Sequence, residues 1–293
     1  MATKYKSREI PQISLADFDT HIDEITNQLC TTAEQVGFFA IVDHGISPAE
    51  NPQNTGYEHK SQVCPSTSAA DQKESYQLQF GENMRDLWIG DDARPGFKDE
   101  SLRFMHKLQG MSEKLMVCLT RRLGFPDDFF IKAHDISQPS SQSVLRLLHY
   151  FETPKTNDSE IHHRASAHVD WGFLTLLFER EGQSGLEICP GREVVTEWAA
   201  DDRFKSTFHR VKAPYEEGDN FGERYSITFF NQPHKDTLIQ GPNKKYPIVT
   251  GEQFTSKAIA IHYAALQAKL NSQQEANEKG TRVESVNTAL VVL

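Results

Sequence analysis

Arg203-Phe204-Lys205-Ser206-Thr207-Phe208-His209-Arg210-Val211, followed by Arg224-Tyr225-Ser226-Ile227-Thr228-Phe229-Phe230, is the stretch on which the fold turns. Phe208–Val211 and Tyr225–Phe230 read as strands, being rich in β-branched and aromatic residues and bounded by polar turns. Val144–Tyr150, Leu174–Phe178 and Leu186–Ile188 upstream are of the same kind. The N-terminal region reads differently. Ile10–Leu15 is a short edge strand, since Pro11 removes a ladder donor that an edge can spare. Asp17 then caps a helix in which Ile22, Ile25, Leu29, Ala33 and Val36 form one stripe. Gly37 stops it, and Phe38–Val42 is a strand closed by Asp43-His44-Gly45.

Ser47 to Ala70 is rich in Pro, Asn, Gln, Ser and Thr and reads as surface loop. From Ser101 to Leu123 the apolar residues Leu102, Met105, Leu108, Leu115 and Leu119 predict a long helix, stopped by Gly124 and Pro126. A short helical turn follows before Phe129-Phe130, and helical spacing returns over Phe254–Leu270. Helices followed by many short strands predict a mainly β core with flanking helices, either α+β or a decorated jelly roll. No linker divides the chain. The expected organisation is one domain over 1–293: a helical, loop-rich N-terminal region over 1–140, a jelly-roll core at about 141–235 and a C-terminal helix at about 250–272.

Composition narrows the function classes. The 293 residues are 38% hydrophobic and 25% charged, as in ordinary globular proteins, and the formal charge of −10 opposes a nucleic-acid partner, which would need a basic footprint. No apolar run approaches membrane-spanning length, and Met1–Glu9 is not followed by a signal-peptide core, so a cytoplasmic address without membrane contact is expected. Cys30, Cys64, Cys118 and Cys189 are too scattered for a disulfide framework or a thiolate metal site, and no obligate protein partner is evident.

Chemistry enters at His168-Val169-Asp170. Residues at i and i+2 of an extended segment face the same side, so an imidazole and a carboxylate can address one ion. His209, from a neighbouring strand, would complete two nitrogens and one oxygen, the ligand set of non-haem iron oxygenases. Taken alone, an H-x-D triplet in a chain with 12 His is a weak signal, more often a solvent-facing or structural pair. Arg224 and Ser226 repeat the i, i+2 pattern, and a guanidinium fork beside a hydroxyl suits a carboxylate.

In this order, H-x-D, H-R-V and R-x-S, the chain resembles the isopenicillin-N-synthase-like branch of the iron(II)/2-oxoglutarate-dependent dioxygenases. The resemblance also covers Ile10–Asp17, Gly37 to Gly45 and the Leu145–Tyr150 strand, and is most specific over Arg203–Val211. It implies a double-stranded β-helix (jelly roll) in which His168, Asp170 and His209 hold Fe(II). Arg224 and Ser226 would bind the distal carboxylate of 2-oxoglutarate, with Tyr150 also reaching this co-substrate. An asparagine expected two residues before that tyrosine is replaced by Leu148. The implied reaction consumes O2 and 2-oxoglutarate, releases succinate and carbon dioxide, and oxidises a small organic metabolite, by hydroxylation unless the substrate radical is diverted to desaturation or ring closure. Ascorbate is an expected assay additive.

The family pattern breaks twice. After Glu50 a helix of roughly two dozen residues is missing. After Trp198 the chain runs directly into Arg203, leaving Asp170 and His209 only 39 positions apart, so a barrel strand is expected to be absent. The alternatives are thus an impaired family member acting as a binding or regulatory protein, and a cupin-type binding module. Trp171 and Phe230 are candidate walls of a substrate pocket, with Phe173 and Phe229 weighed beside them and Tyr57 and Trp88 near its mouth. His162, His163 and His234 are expected to be solvent-facing, and Gly182, Gly185 and Gly191 mark turns and form no phosphate loop.

Overall fold

Alternation along one strand decides where the core lies. In the computed structural model, which describes residues 11–15, 17–35, 40–42, 58–59, 71–84, 87–153, 163–170, 172–183, 185–195 and 200–257, strand β10 (Arg224–Asn231) lies between β5 (Val144–Tyr150) and β7 (Leu174–Glu179), antiparallel to both. Ile227 and Phe229 pair with Leu147 and Leu145 on one side and with Phe178 and Leu176 on the other. These six residues belong to or pack on one apolar cluster. Arg224, Ser226, Thr228 and Phe230, offset by one, face the opposite side with Tyr150, Leu148 and Arg146.

Two earlier strands extend this sheet: β3 (Glu58–His59) and β4 (Lys73–Leu78), giving the order β3-β4-β5-β10-β7. A second sheet has the order β6-β9-β8, from β6 (Ala165–His168), β8 (Leu186–Val195) and β9 (Lys205–Val211). Short pairs β1-β2 (Gln12–Ser14 with Ala40–Val42) and β11-β12 (Leu238–Ile239 with Val249–Thr250) stand apart. This is the double-stranded β-helix expected. Among the described residues β7 pairs only with β10, and both stretches flanking the expected deletions, 43–57 and 196–199, lie outside the described residues.

Helix α2 (Phe97–Leu123) packs on the apolar face, touching β7, β10 and helix α1 (Phe18–Gln35). Its buried Phe104, Leu108, Met111, Leu115 and Leu119 repeat every three or four residues. It begins one turn earlier than the expected Ser101, because Gly96 takes a left-handed conformation (φ 73°) and donates its N–H to Asp91 Oδ1 at 3.0 Å. It ends at Gly124 (φ 80°), where Gly124 and Phe125 N–H groups close on Arg121 and Thr120 carbonyls.

The departures from expectation have physical causes. Strands β3 and β4 replace part of the expected loop and gap because Lys73, Ser75 and Gln77 point to the polar face, which hid the strand pattern. The helical segment near the C-terminus is described only over 251–257; the remainder of Phe254–Leu270 lies outside the described residues, as do Phe38, Phe39 and Asp43-His44-Gly45. Cys30, Cys118 and Cys189 are free thiols, and Cys64 is outside the described residues.

His234 is a correction: it is buried, its Nε2 lying 2.8 Å from the Asp135 carbonyl. Nearby, His134 follows helix α3 (Phe129–Ala133) and is 2% exposed, with Nδ1 donating to the Phe130 carbonyl at 2.8 Å. Burial, chiefly, pushes its pKa down to about 4. Because the unfolded chain titrates near the ordinary value of about 6.5, it binds more protons than the folded one between those limits. This contribution is present above pH ~6.5 and lost as pH falls toward ~4, up to roughly 3 kcal/mol. Urea unfolding of His134→Asn should accordingly lose less stability between neutral and acid pH than the wild type loses.

Candidate metal centre

Strand register brings the two histidines together. His168 on β6 pairs directly with His209 on β9, and their ring centroids are 4.4 Å apart. His168 Nδ1 lies 2.7 Å from the Ser166 carbonyl and His209 Nδ1 lies 3.1 Å from the Thr207 carbonyl. A carbonyl only accepts, so each Nδ1 carries the proton and each Nε2 is left with its lone pair for a metal. Asp170 Oδ1 stands 3.7 Å from both Nε2 atoms, and one ligand atom from each of the three residues falls within 4.8 Å of the others.

With metal–ligand bonds of about 2.1 Å, neighbouring donors around one ion stand about 3 Å apart, so small side-chain rotations would close this set. Two neutral nitrogens and one carboxylate oxygen also fit Fe(II) chemically. Burial, and then His209, hold the His168 imidazolium below its usual range, favouring the neutral form a ligand needs.

Irregular pairing around the histidines has a visible source. Between Ile188↔His209 and Glu193↔Thr207, β8 carries three more residues than β9. Pro190, which has no N–H, and Gly191 lie in that bulge. Ser206 Oγ donates to the Asp170 carbonyl at 3.1 Å, tying the backbone after β6 to β9. Arg210 grips Glu187 with Nε and Nη2 at 2.7 and 2.6 Å, joining β9 to β8.

A second group of polar side chains lies on β10. Arg224 is 1% exposed and Ser226 4%, and Arg224 Cζ sits 4.8 Å from the Tyr150 ring centroid. Arg224 Nε donates to the Gln183 carbonyl at 3.2 Å and Nη2 pairs with Glu179. Nη1 and Ser226 Oγ are buried without a hydrogen-bond partner among the described residues. Leu148, directly opposite Ser226, offers it none. Two unpaired donors on one face are what a carboxylate would satisfy, and leaving them unpaired costs about 1–3 kcal/mol each.

Phe230, half-buried, shares this face, whereas Phe229 is fully buried on the other and Phe173 packs on Phe130 at 4.4 Å. Trp88 packs edge-on against core residue Phe97 at 6.5 Å. Trp171, Tyr57 and His162 lie outside the described residues. His163 is a correction: it is half-buried, close to Arg210 Nη1 (3.3 Å) and to the Ala213 N–H, a structural role.

Sequence patterns alone missed Arg164, Glu179 and the Asp71–Lys73 pair. Arg164, 1% exposed, donates to the Phe151, Phe221 and Gly222 carbonyls, and its pKa is lowered by burial and then by the charge of Arg224. Glu179 shares the strand face of Thr175 and Leu177, opposite Phe230, Thr228 and Ser226, a placement that only the strand register reveals.

The comparisons agree with this geometry. A family model described as the 2OG-Fe(II) oxygenase superfamily matches residues 141–233. Proline hydroxylase buaE of Petromyces alliaceus is 28% identical over 239 residues, covering 70% of this chain and 72% of that protein. 1-Aminocyclopropane-1-carboxylate oxidase 5 of Arabidopsis thaliana is 22% identical over 81% of this chain and 90% of its own. A full-length Neurospora crassa protein, crystallised in complex with alpha-KG, superposes with a TM-score of 0.69 at 22% identity, covering 86% of this chain and 96% of that one. Fold and site together define a jelly roll with a two-histidine, one-carboxylate cluster. The chain is thus similar to the 2OG-Fe(II) oxygenase superfamily, whose model matches residues 141–233, and to the hydroxylase, oxidase and alpha-KG-bound structure named above.

The strand bearing His168 is anchored by Asp71, whose Oδ1 accepts the Ser166 N–H at 2.9 Å while Oδ2 pairs with Lys73 Nζ at 3.0 Å. Both side chains are almost fully buried. Asp71→Ala would strand the Lys73 charge, a loss of about 3–5 kcal/mol. Urea unfolding should show that loss and its partial recovery when Lys73→Met is added.

Proposed function

We propose that His168, Asp170 and His209 hold Fe(II), that Arg224 and Ser226 bind the distal carboxylate of 2-oxoglutarate beside Tyr150, and that the enzyme hydroxylates a small organic metabolite. The observation that carries this reading is the coexistence of a three-ligand cluster with two buried, unpartnered donors on one strand face. A structural metal pair alone would leave that second feature without a partner.

When bound, Fe(II) and 2-oxoglutarate would supply the electrons that activate O2, the oxidant, and the protein would supply binding and placement. His168 and His209 direct Nδ1 at backbone carbonyls, which leaves Nε2 of each as the atom to meet the ion. Asp170 brings negative charge to the ion. Arg224 is held by Tyr150 and the Gln183 carbonyl, so its planar fork is oriented before a ligand arrives. Phe230 lines the same face and is a candidate wall for the substrate, together with Trp171.

The name of the 28% identical relative, a proline hydroxylase, supports hydroxylation and a small substrate. The free thiols Cys30 and Cys118, with Cys30 Sγ 3.5 Å from the Cys118 carbonyl, support a reducing, cytoplasmic setting. No helix among the described residues is long and apolar enough to cross a membrane.

Iron content after anaerobic loading should fall in His168→Ala, Asp170→Ala and His209→Ala alike; unchanged stoichiometric iron in all three would remove the centre. Arg224→Lys keeps the charge and loses the fork, so it should raise the 2-oxoglutarate needed for half-maximal succinate release while sparing iron. Ser226→Ala should have a milder effect, because one hydrogen bond to a charged group contributes about 1.5–3 kcal/mol.

A further inference from the structure

Glu179 ends β7 directly opposite Ser226, so its side chain shares a face with the co-substrate receptor. Its carboxylate pairs with Arg224 Nη2, while Arg224 is itself 1% exposed. About a third of the Glu179 side chain (34%) still reaches solvent, which leaves it a direction in which to withdraw.

Resting on the co-substrate assignment above, we propose that Glu179 is a built-in competitor for 2-oxoglutarate: it holds Arg224 in the ligand-free protein and must turn aside for the distal carboxylate to take the guanidinium. Residue 179 thereby sets co-substrate affinity.

Charge arithmetic supports this. Arg224 carries one positive charge, and two carboxylates converging on it repel each other. Its Nε is committed to the Gln183 carbonyl, so the donors open to a carboxylate are at Nη1 and Nη2, the second engaged by Glu179. A two-point grip through Nη1 and Nη2 would bring the 2-oxoglutarate carboxylate against that of Glu179, a repulsion relieved when Glu179 withdraws. Arg164 brings a second positive charge close enough to bear on Arg224, so the receptor keeps a demand for anion even with Glu179 in place. Desolvation outweighs the pull of Arg224 and raises the Glu179 pKa, so burial works against its ionised form beside Arg224. Glu179 is accordingly suited to cover the guanidinium transiently.

The test compares wild type with Glu179→Gln, which keeps length and hydrogen bonding and removes the charge. Both are loaded with Fe(II) anaerobically, and 2-oxoglutarate binding is read by calorimetry and by the shift in Tm. Removing the competing charge should tighten 2-oxoglutarate binding by about tenfold. Ligand-free Glu179→Gln should melt below wild type, since Arg224 loses its charged partner, and saturating 2-oxoglutarate should narrow or reverse that gap. Glu179→Asp, one methylene shorter, should tighten binding by a smaller factor and serves if the Gln variant does not fold. Unchanged or weaker binding in the substituted protein, with wild type binding normally, overturns the role of Glu179 while the co-substrate site stands. Absence of 2-oxoglutarate binding in every folded, iron-loaded form overturns the co-substrate assignment and this inference with it.

Discussion

The antiparallel pairing of β6 with β9 is the constraint on which the site depends. It sets His168 opposite His209, and because Asp170 follows two positions later, one short extended segment and one neighbouring strand deliver all three donor groups. Slipping a strand by one residue would send its side chain to the other face of the sheet. That register is reinforced from several directions: Asp71 accepts the Ser166 N–H, Ser206 reaches the Asp170 carbonyl, and Arg210 ties β9 to Glu187 on β8. The same strand geometry fixes tautomer, since both Nδ1 atoms find backbone carbonyls and both Nε2 atoms face the carboxylate.

The larger sheet obeys the same logic with polarity reversed across its thickness. One face supplies Leu145, Leu147, Leu176, Ile227 and Phe229 to the cluster against α2; removing a side chain such as Phe229, fully buried, would cost about 3–5 kcal/mol. The other face carries Arg224, Ser226, Thr228, Arg146 and Ser75, with Arg146 Nε donating to Ser75 Oγ at 3.0 Å. An interior this polar is costly unless its donors are engaged, which is why the unpartnered Arg224 Nη1 and Ser226 Oγ point to a ligand.

Much of this was legible in the chain. Val144–Tyr150 is a strand over those same residues, Arg224–Asn231 extends the expected strand by one residue at each end, and both have the apolar alternation of a sheet packed on one side. The motif order placed His168 and His209 on adjacent strands of one small sheet. Lys73–Leu78 was hidden because its inward positions are polar, and local pattern cannot distinguish a polar barrel interior from a surface loop. His163 and His234 were misread for a related reason: each is covered, the first in part and the second fully, by partners distant in sequence, Arg210 and Asp135. Glu179 needed the β7–β10 register before its meeting with Arg224 could be seen.

The most direct measurement is an anaerobic optical titration in which Fe(II) and then 2-oxoglutarate are added to the purified protein. Chelation of Fe(II) by the co-substrate should produce a visible charge-transfer band that requires both additions, saturates at one equivalent of each per chain, and disappears in Asp170→Ala. A folded wild-type protein that takes up iron but develops no band with 2-oxoglutarate would contradict the assignment of this site.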